Sequence, residues 1–135
     1  MSFEVETPIL SSPFEAPASH WYIRAGHPPR QNQGRRPAMV FQPRDQRDAW
    51  QVETDPVLER LKGYERAYGL KLVNRVRERL AQWQQDGRPG ATRISEELIA
   101  WWWRDGRQQR LFFAQLEAAE TVIFLREARA DYLQG

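Results

Sequence analysis

The stretch that decides the fold is residues 70–86, which read LKLVNRVRERLAQWQQD. Its apolar residues recur at the three- and four-residue spacing of one face of an α-helix: Leu72, Val73, Val76, Leu80 and Trp83. Gly87 and then Pro89 follow it, and a glycine followed by a proline is a typical helix stop. The stretch therefore predicts one well-defined amphipathic helix.

A second helix is predicted over residues 93–105, where Thr92 or Ser95 can accept hydrogen bonds from the free amides of the first turn. At about 100° per residue, its apolar side chains cover a wide arc. Leu98 and Trp102 lie near the centre of that arc and are expected to be buried. Trp103 lies at its edge and is a candidate contact with another domain.

Gly106 separates this helix from a long last helix, predicted over residues 107–133 and apolar on two sides. One side has Gln115 near its middle, where we expect it to be buried and to need hydrogen-bond partners. The apolar residues of this side are Leu111, Ala118, Ala119, Val122, Ile123 and Leu125. The opposite side carries two phenylalanines and two carboxylates that are expected to face solvent: Phe113, Phe124, Glu117 and Glu120. Because helices apolar all round are usually enclosed, we expect a further domain or another chain to cover this one.

The first 50 residues follow a different pattern. Seven of the nine prolines lie at or before Pro43, which predicts an extended arm rather than helices. Short β-like runs at residues 20–24 and 38–42 flank a turn-rich, basic loop over residues 26–37. The two runs can form a loose hairpin.

Between the arm and the strong helix, Asp55 followed by Pro56 predicts the start of a weak helix, interrupted by Gly63 and Gly69. The expected fold class is therefore α+β, mostly α. A proline- and arginine-rich extended arm with short β segments occupies residues 1–50, and three or four helices occupy residues 51–135.

The composition excludes several kinds of chemistry. With no cysteine and only two histidines, the 135 residues can form neither a disulfide nor a cysteine or histidine zinc site. Neither Lys62 nor Lys71 stands in the Gly-x4-Gly-Lys-Ser/Thr loop that holds nucleotide phosphates. Neither lysine follows an acid by two residues, as a PD-(D/E)xK nuclease requires. We expect no metal site and no catalytic residue in this chain.

Positive charge is concentrated in one segment, although the net charge is only +2. Residues 24–47 hold six arginines against one acid, Asp45, close to the aromatic Trp21, Tyr22 and Phe41. Arginines that contact phosphates and rings that stack on bases are the means by which single-strand binders hold nucleic acid. The candidate DNA contacts are Arg30, Arg35, Arg36 and Arg44.

The sequence has no run of 18 apolar residues of the kind that spans a membrane. Its first residues, MSFEVE, have neither the basic flank nor the apolar run of a secretion signal. We therefore expect a cytoplasmic protein without a membrane partner.

Eight short segments together resemble a known protein family. They are spread over most of the chain except residues 44–68. They are residues 3–10 (FEVETPIL), 12–15 (SPFE), 20–23 (HWYI), 34–37 (GRRP), 72–74 (LVN), 104–107 (RDGR), 110–121 (RLFFAQLEAAET) and 127–131 (EARAD). The set resembles the N-terminal region of DEAD/DEAH-box helicase-like restriction enzymes, the type III restriction Res subunits. The run from residue 104 to residue 135 is its most specific part.

The resemblance implies a non-catalytic lead-in segment of an ATP-dependent DNA enzyme. Members of that family are far longer, and their ATP, Mg²⁺ and nuclease sites follow the region that this chain resembles. The implied partners are DNA, a motor domain downstream of Gly135 and a methyltransferase subunit. Helicases of this superfamily place an aromatic residue and a glutamine before the first motor strand to contact adenine, and Phe112, Phe113 and Gln115 are similar in type and order.

A second class stays open on the sequence alone: a free-standing helical DNA-binding or protein-interaction module. In that case Trp103, Phe113 and Phe124 would form an interface, such as that of a homodimer. A monodisperse dimer would favour this class, whereas aggregation would favour a truncated domain. A third class, an independent hydrolase, is contradicted by the missing site motifs.

Overall fold

The computed structural model describes residues 3–23, 26–43 and 65–134. The chain divides into a β unit, residues 1–12 with 17–74, and a helical unit, residues 13–16 with 75–135. More than twice as many described residues lie in helices as in strands. The α+β, mostly α, class is confirmed. The boundary predicted at residue 50 lies outside the described residues, whereas the two units divide near residue 75.

The first sheet of the β unit is a two-stranded hairpin. Strand β1, Ser19–Tyr22, pairs antiparallel with β2, Arg30–Gln33, so that Tyr22 lies opposite Arg30. The strand expected from residue 20 is thus present, with Arg24 outside the described residues. Its pairing with residues 38–42 is wrong, because the chain already reverses at Gly26, which has a φ of 76°.

The second sheet joins segments that are far apart in sequence. Strand β3, Met39–Pro43, pairs antiparallel with β4, Glu65–Gly69. The weak helix expected from Asp55 lies outside the described residues up to residue 64. For residues 65–69 it is wrong, because pairing with β3 satisfies the backbone there.

The helical unit contains most of helix α1, Lys71–Gln85, followed by α2, Arg93–Trp103, α3, Phe113–Glu127, and the short α4, Ala130–Leu133. Helix α1 confirms the helix expected over residues 70–86. Thr92 caps α2, since its side chain accepts a 3.3 Å hydrogen bond from the Ser95 amide.

The long last helix expected over residues 107–133 is wrong at both ends. Residues 107–112 are not helical, and α3 begins only after Phe112, whose backbone is extended. The Phe113 amide donates a 2.9 Å hydrogen bond to the carbonyl of Pro13, which fixes this start. At the other end, Ala128 and Arg129 leave the helical conformation, so α3 and α4 are two separate helices and not one continuous helix.

The core of the helical unit lies between α1 and α3. Leu80, Trp83, Phe124 and Ala128 form its main cluster, and the Trp83 and Phe124 rings lie 5.5 Å apart at 59°. The Trp83 indole N–H donates a 3.0 Å hydrogen bond to the carbonyl of Pro89, so the loop after α1 satisfies the one polar atom of this ring.

Two expected core faces are wrong. Helix α3 buries the side with Leu116, Glu120 and Phe124, while Val122 and Leu125 on the side expected to be the core are exposed. Both sides are apolar in sequence, and the structure selects the one whose large ring packs against Trp83. On α2 the buried residue is Ile99 rather than Leu98, which is exposed, and Trp102 is half-buried.

Candidate functional site

Helix α2 presents an apolar stripe to solvent. Ile94, Leu98 and Trp101, here called the docking stripe, are 71%, 43% and 54% exposed. Spacings of four and three residues place them on one side of the helix. Ser95 and Ile99, each one residue further on, are buried. Helix α2 therefore has one face in the core of its own unit and an adjacent apolar face that no described residue buries.

The end of the docking stripe carries a fixed positive charge. The guanidinium carbon of Arg104 lies 3.3 Å from the centroid of the Trp101 ring, within the range of a cation–π contact. At an exposed site such a contact is worth about 0.5–1 kcal/mol, so it favours this orientation of the indole. A partner covering the stripe would therefore meet a preorganised ring bordered by an arginine.

Helix α3 has an exposed apolar face of its own. Val122 and Leu125 lie on the side opposite Leu116, Glu120 and Phe124, and both are exposed. Single exposed apolar residues are common on protein surfaces, whereas contiguous ones at helical spacing indicate contacts with a partner. The prediction that α3 is apolar on two sides is confirmed. The side expected to lie in the core is exposed, however, and the opposite side is buried.

A buried carboxylate holds three parts of the helical unit together. Glu120 has no exposed surface. It accepts a 2.6 Å hydrogen bond from the Gln84 side chain in α1 and another of 2.6 Å from the Trp103 indole N–H in α2. Arg88, in the loop after α1, approaches it to 3.3 Å as an ion pair. The expectation that Glu120 faces solvent is wrong.

The partners of Glu120 explain why burying a charge is tolerated. A carboxylate taken out of water is costly unless it is paired and fully hydrogen-bonded. Arg88, whose φ of 58° is rare for a residue with a side chain, supplies the compensating charge. The signal that sequence reasoning overlooked is the position of Glu120, four residues from both Leu116 and Phe124 and therefore on the same face of the helix.

A second carboxylate caps the N-terminus of α2 from the end of α3. Glu127 accepts hydrogen bonds of 2.8 Å from the Thr92 amide and 2.8 Å from the Ser95 hydroxyl. The backbone hydrogen bond from Thr92 and, after it, the one from Ser95 lower the pKa of Glu127 below its ordinary value. This carboxylate therefore orients α2, and with it the docking stripe.

Two of the three expected adenine contacts lie together. Gln115 is exposed, not enclosed by apolar residues as expected, and its side-chain oxygen accepts a 3.0 Å hydrogen bond from the Phe112 amide. Phe112 is exposed and stacks on Phe14 with ring centroids 5.4 Å apart, while Phe113 is half-buried. The side-chain oxygen of Gln115 thus closes the first turn of α3.

The candidate DNA contacts lie in the β unit. Arg30 in β2 and Arg36 after it are exposed, and Arg35 is half-buried. Arg44 lies outside the described residues. The nearby Trp21 indole N–H donates a 3.2 Å hydrogen bond to the carbonyl of Thr7, which fixes the edge of this ring.

Only part of the expected interface is accessible. Trp103 is exposed, although its N–H is bonded to Glu120 within the chain. Phe113 is half-buried. Phe124 is 1% exposed and packs on Trp83, so its assignment to an interface is wrong. The docking stripe was not predicted from the sequence, because Leu98 was expected to lie in the core.

Comparison of the chain with protein-family models, with curated proteins and with solved structures finds no match. Within the described residues, no group of three or more His, Asp or Glu side chains is placed to hold a metal ion. Of the helices in the described ranges, none combines the length and the apolarity needed to cross a membrane.

Proposed function

We propose that this chain is an N-terminal accessory segment of an ATP-dependent DNA enzyme of the type III restriction or DEAD-box helicase-like class, non-catalytic by itself. Its helical unit packs onto the motor domain. The observation that carries the proposal is the docking stripe, Ile94, Leu98 and Trp101, exposed along one side of α2. The sequence resemblance supplies the identity of the partner.

The energetics of such docking are favourable. Complete burial of an exposed apolar side chain of this size stabilises by about 1.5–3 kcal/mol, and these three are already about half buried, so docking adds roughly half of that for each. For two segments of one polypeptide, the effective concentration is on the order of millimolar, and modest contacts are then enough to keep them docked. The Arg104 contact adds orientation, because it holds Trp101 in place before the partner arrives.

The remaining roles follow from the same assignment. ATP and Mg²⁺ belong to the motor, with Phe112, Phe113 and Gln115 adding an adenine contact from this side. DNA and a methyltransferase subunit are the further partners, in the cytoplasm. Phe112 supports the adenine role because its ring is exposed and backed by Phe14.

The test is a binding measurement with the motor. The motor is the protein or segment with a Gly-x4-Gly-Lys-Ser/Thr loop that is encoded in the same reading frame or the neighbouring gene. Isothermal titration calorimetry compares the unmodified chain with Leu98→Glu and Trp101→Glu. We expect each variant to bind at least about tenfold more weakly, since a charge replaces a buried apolar contact.

Ala100→Glu is the matched control, because it adds the same charge at an exposed position of α2 away from the docking stripe. The proposal fails if no such motor is encoded, or if the motor binds all four proteins equally. A stable dimer of the chain that only the stripe variants dissociate would indicate the free-standing interaction module instead.

A second candidate function, contact with nucleic acid through the β unit, is favoured by one separate observation. Residues 16–43 contain four arginines and no acidic residue, and Arg30 and Arg36 are exposed. Fluorescence anisotropy with labelled DNA tests it. Arg30→Ala with Arg36→Ala should weaken binding and flatten its salt dependence, whereas the equal charge loss in Arg79→Ala with Arg126→Ala should change neither.

A further inference from the structure

The docking stripe ends at an exposed arginine whose donors have no acceptor. Arg104 is the residue at which α2 ends, and its backbone has a φ of −59° and a ψ of 143°. Its guanidinium carbon lies over the Trp101 ring, 3.3 Å from the ring centroid. Among the described residues, no hydrogen-bond acceptor and no carboxylate, its neighbour Asp105 included, lies within bonding distance of this guanidinium. Its N–H groups are therefore available to a partner.

Stacking on Trp101 orients the guanidinium without using its donors. At 3.3 Å, the flat group fits over the ring only when the two planes are nearly parallel, because a tilted group would press its nitrogens into the ring. The N–H groups of Arg104 then point past the edge of the indole instead of into it. An arginine held in this way has already lost part of the conformational freedom that binding would otherwise remove.

The other charges beside the docking stripe cancel. Arg93 and Glu97, one turn apart on the flank of the stripe, form an ion pair with a contact of 2.8 Å. Glu96 is two residues from Leu98 and so lies on the opposite side of the helix. Among the described residues of α2 and its C-terminal cap, Arg104 is therefore the one charge beside the stripe without a counter-ion.

This combination fits a carboxylate on a protein better than a phosphate of nucleic acid. An arginine fork matches both groups. The stripe continues from Trp101 to Leu98 and Ile94 over about 10 Å of helix, however, and such aliphatic side chains are covered by apolar side chains of a protein. Protein interfaces combine an apolar centre with a polar rim, and the docking stripe with Arg104 at its end has that order.

We propose that the motor covers the docking stripe with a segment that carries an aspartate or glutamate beside its apolar residues, and that this carboxylate accepts hydrogen bonds from the Arg104 guanidinium. The inference rests on the proposed docking to a motor and adds the chemistry of the partner surface to it. The ion pair fixes the position of the segment along α2, because a shift by one helical turn, about 5.4 Å, would leave both charges unpaired.

Isothermal titration calorimetry with the motor measures the role of Arg104. Arg104→Gln should weaken binding about tenfold, the loss expected for a hydrogen-bonded charge pair, and should reduce its dependence on salt. Arg79→Gln, which removes the same charge at an exposed position of α1, is the control and should change neither. Weaker binding of Arg104→Gln with an unchanged salt dependence would show that the arginine only supports the Trp101 ring, and would overturn the proposal.

A double-mutant cycle identifies the carboxylate. Each exposed aspartate or glutamate of the motor is changed in turn to asparagine or glutamine. One of these changes should weaken binding of the unmodified chain about tenfold and leave binding of Arg104→Gln unchanged. Losses that add to that of Arg104→Gln at every position would overturn the proposal. Because Arg104 is exposed, the variant should fold as the unmodified chain does, which circular dichroism checks.

The outcomes separate this inference from the docking itself. If Leu98→Glu weakens binding and Arg104→Gln does not, the docking stands and the carboxylate contact is wrong. If neither variant weakens binding, or if no motor binds, both are wrong. Fluorescence anisotropy with a labelled single strand of DNA tests the other ligand. Binding that Arg104→Gln abolishes and Arg79→Gln does not would indicate a phosphate, and would overturn the proposal.

Discussion

The two units of this chain are held together in different ways. In the helical unit, Trp83, Phe124 and Glu120 are almost completely buried and link helices that are distant in sequence. In the β unit, every side chain of β2 is exposed and those of β1 are only half-buried. What holds the hairpin is its backbone ladder, together with bonds such as the 2.8 Å contact between the His20 ring and the Gly34 carbonyl.

This difference has consequences for stability and for function. Burial supplies most of the free energy of folding, whereas an isolated two-stranded hairpin is only marginally stable in water. The β unit should therefore open at a lower free energy than the helical unit. A rigid helical unit suits the presentation of a docking stripe, and an exposed arginine-bearing hairpin suits contacts that adapt to a flexible polyanion.

The largest effect is expected from Trp83→Ala, which removes the ring against Phe124 and its hydrogen bond to Pro89. A large-to-small change of this kind costs about 3–5 kcal/mol of unfolding free energy. Guanidinium titration followed by circular dichroism measures it. Val40→Ala in β3, at an exposed residue, should cost less than about 0.5 kcal/mol. Equal costs would show that the two units do not differ in the way described.

Glu120→Ala should be the next most damaging change. It leaves donors of Gln84, Arg88 and Trp103 without their acceptor inside the unit, at a cost of about 2–4 kcal/mol. The control is Glu97→Ala, which breaks an exposed ion pair with Arg93 and should change stability by less than about 0.5 kcal/mol. The same denaturant titration compares the two, and a harmless Glu120→Ala would contradict the bridging role of this carboxylate.

Within the β unit, Gly34→Ala tests the backbone instead of a side chain. Gly34 has a φ of 82°, donates a 2.7 Å hydrogen bond to the Ala18 carbonyl and has open space where a Cβ would lie. The cost should therefore be the conformational one alone, about 1 kcal/mol. Hydrogen exchange should quicken about fivefold at the amides of β1 and β2 and stay unchanged in α1. Gln33→Ala, at an exposed position of β2, is the control, and matching exchange in both variants would argue against this explanation.

The smallest effect concerns pH. The bonds from Thr92 and Ser95 lower the pKa of Glu127 below its ordinary 4.5, so this carboxylate stabilises the fold at higher pH. That contribution is lost as the pH falls from about 4.5 toward the lowered pKa. Glu127→Gln should lower the melting temperature at pH 7 and reduce its decline between about pH 5 and pH 3. Glu78→Gln, an exposed position in α1, is the comparison, and parallel curves for the two variants would rule out the assigned role.

The sequence predicts the elements whose signals are local. The apolar repeat and the Gly-Pro stop predict α1, and Thr92 predicts the start of α2, because capping and periodicity act within a few residues. Pairing of β3 with β4 was not predictable in the same way, since it joins segments more than 20 residues apart. Periodicity also could not predict which side of α3 is buried, because both sides are apolar. The buried side is the one whose Phe124 packs against Trp83.

The candidate site shows the same limit. Gln115 and Phe112 were identified from residue type and order, and they do lie in contact at the start of α3. The docking stripe was not predicted, because the apolar residues of α2 cover a wide arc and periodicity alone does not show which part of that arc is buried. That choice depends on Ser95, which bonds to Glu127 more than 30 residues away and turns Ile99 rather than Leu98 inward.

We propose above that the docking stripe packs onto a motor domain. Hydrogen exchange of the chain, measured with and without the purified motor, tests it most directly. We predict slower exchange in the motor complex at residues 94–101 of α2, with little change in the β1–β2 hairpin. A motor that binds while α2 exchanges as fast as in the free chain would contradict the claim.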